Sequence, residues 1–161
     1  MLKKNIFIFI LAGLSLVTAS CNSNTVIDEQ SDIREGMWNL DSLVAFDFVI
    51  DDTTSLYEVQ YNVRYAVNYP YYNLYLKYYI EDSTGQILSS DMQELVLFDK
   101  KNGDPLGDGL GDLFDRAVPI TKNQKFDYAG PYTFKVKQFM RNEQLPGILS
   151  FGLKIQKPEE D

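Results

Sequence analysis

The segment YEVQYNVRYAV, residues 57–67, constrains the fold more than any other stretch. Tyr57, Val59, Tyr61, Val63, Tyr65 and Val67 are aromatic or β-branched, while Glu58, Gln60, Asn62 and Arg64 between them are polar. Only an extended chain, whose successive side chains point to opposite faces, places the first set together. Such a strand belongs to a sheet with one face in a core and one in water. The same period runs through LVAFDFVI (43–50), where Val44, Phe46, Phe48 and Ile50 share a face. In YYNLYLKYYIE (71–81), Leu74, Leu76, Tyr78 and Ile80 face inward and Tyr75, Lys77 and Tyr79 outward. Residues 87–98, 132–140 and 150–157 read as further strands. DDTTS (51–55) and EDSTGQ (81–86) are turns, and Pro70 interrupts because it cannot donate to a ladder. The one helical candidate is LGDLFDRAV (110–118), good for one or two turns. The pattern predicts an all-β protein: an antiparallel β-sandwich, Ig-like or jelly-roll-like, of six to eight strands, with a closed barrel as the alternative.

The chain opens MLKKN, continues through an apolar run from Ile6 to Val17, and reaches Thr18, Ala19, Ser20 and Cys21. As a helix that run measures ~18 Å, too short for a ~30 Å hydrocarbon core. A positive start, a short apolar stretch and small residues make residues 1–20 a signal peptide. With Cys21 next, the stretch resembles a bacterial lipoprotein box, although the position usually held by Leu is Thr18. That resemblance implies diacylglyceryl on the Cys21 sulfur; the competing reading is a free thiol. Two or more acyl chains hold a protein firmly on a membrane. Residues 21–36 then read as a lipidated N-terminus and flexible tether, 37–157 as the sandwich domain, and 158–161 as an acidic tail.

The sequence has no histidine and one cysteine. Serine and cysteine nucleophiles activated by histidine, and histidine-based metal sites, are excluded. Losing Lys3 and Lys4 with the signal takes the formal charge from −8 to about −10, a poor match for nucleic acid. The expectation is a protein that is not an enzyme, needs no cofactor, binds no nucleic acid and meets the membrane through Cys21.

Three groups stand out as candidate sites. Tyr69, Tyr71, Tyr72, Tyr75 and Tyr79 form a cluster readable as core, protein interface or a stacking platform for sugar. Lys135, Lys137 and Arg141 alternate as one strand's outer row, either solvated or a dock for an acidic partner. Asp104, Asp108 and Asp112 lie in a glycine-rich stretch that offers a weak calcium candidate, but the loop order of an EF-hand is absent.

GPYTFKVKQFMRNEQLPGILSFGLKI (130–155) carries Gly130, Tyr132, Phe134, Val136, Gln138, Met140, Arg141, Leu145, Gly147, Ile148 and Gly152 in a recognisable order. With NYPYYNLYL (68–76) and PLGDGLGDLFD (105–115), this resembles the gliding-motility lipoprotein GldH family of Bacteroidota. The resemblance implies a non-catalytic envelope lipoprotein that serves gliding motility and the associated type IX secretion machinery through other envelope proteins. A lipid-anchored carbohydrate- or peptidoglycan-binding module is the alternative. Asn22, Ser23, Asn24 and Thr25 after the cysteine lack the acidic cluster of surface-exported lipoproteins, which points to the periplasmic face of the outer membrane.

Overall fold

The computed structural model describes residues 24–158. Eight long strands dominate: β1 (Thr25–Asp32), β3 (Val44–Ile50), β4 (Tyr57–Ala66), β5 (Asn73–Asp82), β6 (Ile87–Val96), β8 (Leu113–Gln124), β9 (Gly130–Gln138) and β11 (Ile148–Gln156). Three short ones join them: β2 (Met37–Asn39), β7 (Asp108–Leu110) and β10 (Gln144–Pro146). One sheet runs β1-β11-β4-β8-β7, the facing sheet β3-β9-β5-β6, and β2 pairs β10 apart from both. All pairs are antiparallel. The long strands nest as β5 with β6, β4 with β8, β3 with β9 and β1 with β11. Alternate pairs fall in alternate sheets, which is a jelly roll. Of the two sandwich types anticipated, the structure is this one, its eight long strands at the top of the anticipated six to eight and joined by three minor ones.

The core follows the period-2 reading. Val44, Phe46, Phe48 and Ile50 are buried on β3, and Tyr57, Val59, Tyr61, Val63 and Tyr65 on β4. Phe151 of β11 sits between Trp38, Tyr61 and Phe46, with ring centroids 5.8, 5.1 and 6.3 Å away. Burial pushes the Tyr61 phenol well above its ordinary pKa, so it remains neutral there. Aromatic rings thus bridge the two sheets, each burying large area with few rotatable bonds.

Four expectations are corrected. The tether does not extend to residue 36, because Thr25–Asp32 is the edge strand β1, registered on β11 from Thr25↔Gln156 to Asp32↔Ser150. Backbone hydrogen bonds hold it, and its polar side chains suit a sheet edge. Residues 110–118 hold no helix: Leu110 pairs Leu113 around a Gly111-Asp112 turn, with Gly111 at φ +73°, and β8 continues along β4. Val67 leaves the inward row because β4 ends at Ala66, and its side chain is 46% exposed. Tyr71 and Tyr72, expected to open a strand over 71–81, precede β5, which starts at Asn73.

Strand direction gives the body two distinct ends. At the lower end lie Asn24, whose carbonyl accepts the Lys157 N–H at 2.7 Å, the β3–β4 loop, the β5–β6 turn and the β8–β9 loop. At the upper end lie residues 33–43, 67–72, 97–112 and 139–147, with the three short strands. Among the described residues no helix is long and apolar enough to cross a membrane.

Candidate functional site: an outward sheet face and an apolar upper end

The register of β5 on β9 sets the first part of the site. Tyr79 lies opposite Lys135, Lys77 opposite Lys137 and Glu81 opposite Thr133, all on the outward face. Lys135 Nζ bonds Glu81 Oε2 at 2.6 Å, and Lys77 Nζ sits 5.6 Å from the Tyr79 ring centroid, within cation–π range. Tyr79, Glu81, Lys135 and Lys137 line a shallow hollow of about 170 Å³ that Asp41, Leu43 and Ile87 complete. Tyr75 on the same face is 38% exposed, and Met92 on the edge strand β6 is half exposed. The face mixes rings, methylene stems and ammonium groups, the composition that suits protein contact.

Not every predicted member joins it. Tyr69 is 5% exposed, its hydroxyl donates to the Asn73 carbonyl at 2.9 Å, and burial raises its pKa well above the usual range. It is core, because the turn after Ala66 folds its ring down onto Phe98 at 6.5 Å. Tyr71 is half-buried with its hydroxyl donating to Asn142 Oδ1 at 2.7 Å. Tyr72 stands exposed at the upper end beneath Lys100, whose Nζ is 4.5 Å from the ring centroid. Arg141 does not continue the Lys135–Lys137 row, since β9 ends at Gln138. Buried Gln138 folds the chain over, its Nε2 donating to the Asn142 carbonyl and its Oε1 accepting the Met140 N–H.

The aspartates also separate. Asp104 accepts from the Asn102 side-chain amide within a tight turn, Asp108 faces Asp115 across β7–β8, and Asp112 sits in the hairpin turn. Asp115 is already held by Arg64, at 2.8 and 2.9 Å. Among the described residues no three His, Cys, Asp or Glu side chains converge on a metal position. The cleft between the sheets, about 250 Å³, is walled by Phe48, Tyr61, Tyr78, Ile120, Phe126 and Phe134 and by no charged side chain. It supplies no acid–base pair. Cys21 lies outside the described residues.

The sequence reading missed the upper end. Val67, Tyr72, Leu106, Leu110, Leu113 and Phe139 are all exposed there, Leu110 to 94%. A signal was available: Leu110 stands between Gly109 and Gly111 in a turn-rich stretch, where no strand face can bury it.

Comparison with known proteins adds sequence kinship to this geometry. The family profile described as GldH lipoprotein matches residues 25–155. The chain is 33% identical to the gliding motility lipoprotein GldH homolog of Christiangramia forsetii, covering 96% of each chain. It is 31% identical to the gliding motility lipoprotein GldH of Flavobacterium johnsoniae, covering 97% of this chain and 98% of that one. Among solved structures, the VP2 subviral particle of infectious bursal disease virus aligns with a TM-score of 0.35 at 11% identity, over 81% of this chain and 30% of that one. That likeness is slight, and the jelly-roll assignment rests on strand order alone.

Proposed function

The chain belongs to the GldH lipoprotein family, and from that premise we propose that it is a cell-envelope lipoprotein serving gliding motility. Acyl chains on Cys21 hold it to the outer membrane, on the periplasmic face. It works by contact rather than turnover, binding other envelope proteins of motility and of the associated type IX secretion machinery. One structural observation carries the contact reading: the chain enters the fold at the lower end, while exposed apolar side chains concentrate at the opposite end. A body held by one pole and sticky at the other is arranged to present a surface. The lack of histidine and the uncharged inter-sheet cleft support the same reading.

A second reading, glycan binding, draws on exposed Tyr75 and Tyr72 as stacking surfaces. Crosslinking in living cells followed by mass spectrometry separates the two. Recovery of a discrete protein partner, lost on Leu110→Ser or on paired Tyr75→Ser and Tyr79→Ser changes, supports contact with protein. Recovery of peptidoglycan fragments alone overturns it. Replacing Cys21 by Ala tests the anchor: protein still found in the membrane pellet refutes acylation as the means of attachment.

A further inference from the structure

We propose that the cleft between the two sheets binds a small uncharged aromatic compound, of about ten non-hydrogen atoms, that carries one hydroxyl or amide group. The site takes no part in the anchoring or the protein contact proposed above.

The cleft is open because the sandwich closes along one side only. β1 lies beside β3, whereas β6 and β8 on the other side form no pair. Ser89 and Asp91 share the inward parity of buried Leu95 on β6, yet both are exposed. The lower half of β6 therefore stands clear of β8. Across the gap β8 bulges: Pro119 registers on Gln60 and Thr121 on Val59, which leaves Ile120 as the extra residue. The bulge brings Ile120 and Thr121, neighbours in sequence, to the same cleft wall.

Two of the lining side chains hold hydrogen-bonding groups that the protein does not use. Tyr61 is 1% exposed, and among the described residues its hydroxyl has no hydrogen-bond partner. Burial, and then the neighbouring Tyr78 phenol, raise its pKa, so it stays a neutral donor. Gln93 Oε1 is buried and also without a partner. Such groups are costly to leave unpaired, and one ligand hydroxyl or amide supplies both the acceptor and the donor they lack. The other polar liners are engaged, Gln124 Nε2 with the Lys125 carbonyl and Thr121 Oγ1 with the Asn123 N–H.

The remaining wall selects the rest of the ligand. Phe48, Val59, Phe126, Phe134 and Ile155 offer only apolar surface. A sugar would leave most of its hydroxyls unanswered there, and water alone gains nothing from those walls. No charged side chain lines the cleft, so an ion would lose its hydration without a counter-charge. The charges around it are directed elsewhere: Asp91 to the Met92 N–H, Arg116 to the Leu106 carbonyl and Lys122 to Glu58. Volume sets the size. A dry apolar cavity of about 150 Å³ takes benzene, and this one measures about 250 Å³.

The test is equilibrium dialysis of the whole protein, purified from cells into lipid nanodiscs, against 2-naphthol, naphthalene, 2-naphthoate and glucose, with empty nanodiscs subtracted. 2-Naphthol should bind saturably, about fivefold tighter than naphthalene for one good hydrogen bond and at least about tenfold tighter than 2-naphthoate or glucose. Tyr61→Phe should erase the margin over naphthalene without lowering the urea midpoint, because no protein hydrogen bond is lost. Ile120→Trp should abolish binding by filling the mouth. In the unaltered protein, nuclear Overhauser contacts from 2-naphthol to the Ile120 methyl groups should locate the ligand, whether or not the variants fold. No saturable binding of either aromatic compound overturns the proposal and leaves the cleft to solvent. Equal affinity for naphthalene and 2-naphthol, tighter binding of 2-naphthoate or glucose, or contacts that bypass Ile120 overturn it as well.

Discussion

The Tyr65 hydroxyl donates to the Leu97 carbonyl at 2.8 Å and accepts the Gly107 N–H at 3.2 Å. One fully buried side chain on β4 thus fixes both ends of the 97–107 connection, while its ring packs on Phe98 and Phe114 at 5.3 and 6.0 Å. Tyr65→Phe keeps the ring and removes both hydrogen bonds, leaving the Gly107 N–H without that partner while the Leu97 carbonyl still accepts the Leu106 N–H at 2.9 Å. The expected loss is about 1–3 kcal/mol, read as a lower urea midpoint with an unchanged slope. Cleavage by protease within 99–111 should accelerate at the same time. Tyr57→Phe, which removes a single bond to the Asp52 carbonyl, should cost less.

Gly147 and Gly85 both adopt left-handed backbone, at φ +87° and +82°, but only Gly147 is crowded. A Cβ there would lie 3.0 Å from the Tyr69 Cα, whereas Gly85 has open space. Gly85→Ala should cost the conformational strain alone, about 1–2 kcal/mol. Gly147→Ala should add a further ~1–3 kcal/mol, because a backbone atom cannot move aside as a side-chain tip can. Denaturant unfolding of the two variants side by side measures that difference; equal losses would show that the Tyr69 contact yields freely.

What the sequence disclosed depended on which force holds each element. β3, β4, β5 and β9 are held by side-chain burial, so their alternation was plain in the residues. β1 is held by backbone bonds to β11 and buries little beyond Ile27, so its polar side chains read as a tether. The outward row of Tyr75, Tyr79, Lys135 and Lys137 was legible because parity along a strand decides facing. Tyr69 and Arg141 were not, since each lies past a strand end, where parity no longer applies and a turn decides direction. The apolar upper end depends on loops brought together from four parts of the chain, and no local period reports that.

Asp52 couples pH to stability at the lower end. Its carboxylate accepts the Ser55 and Thr54 hydroxyls, the Thr54 N–H and the Lys157 ammonium. Those donors, the Ser55 hydroxyl foremost, hold its pKa well below the usual range. A pKa lowered by folding contributes stability above the unfolded value, ~3.9, and that contribution fades as pH falls below it toward the folded value. Lys157 moves the other way, raised chiefly by the same Asp52 contact; its share holds below ~10.4 and is lost above. Asp52→Asn should therefore lower the melting temperature by a constant amount between pH 5 and 8 and converge on the parent below pH ~4. A gap that widens in acid would contradict this sign. Tyr57 and Asp51 face the same group, so Asp51→Asn serves as the control and should shift the curve far less.

Tyr75 and Tyr79 allow the contact role to be separated from folding. Neither belongs to the buried core, and Tyr79 lies opposite Lys135 with the Lys77 Nζ 5.6 Å from its ring centroid. Changing both to Ser removes cross-strand pairs worth ~0.2–1 kcal/mol each, so the melting temperature should fall by only a few degrees. Tyr69→Ser, by contrast, empties a buried site and breaks the bond to Asn73, a loss in the ~3–5 kcal/mol range of large-to-small core changes. If the outward face of β5 and β9 is where a partner sits, the double variant keeps its fold, still reaches the membrane and loses its crosslinked partner. Thermal melts and in-cell crosslinking on the same preparations check both halves. A double variant that folds and retains its partner moves the contact to the upper end, where Leu110→Ser should then abolish it.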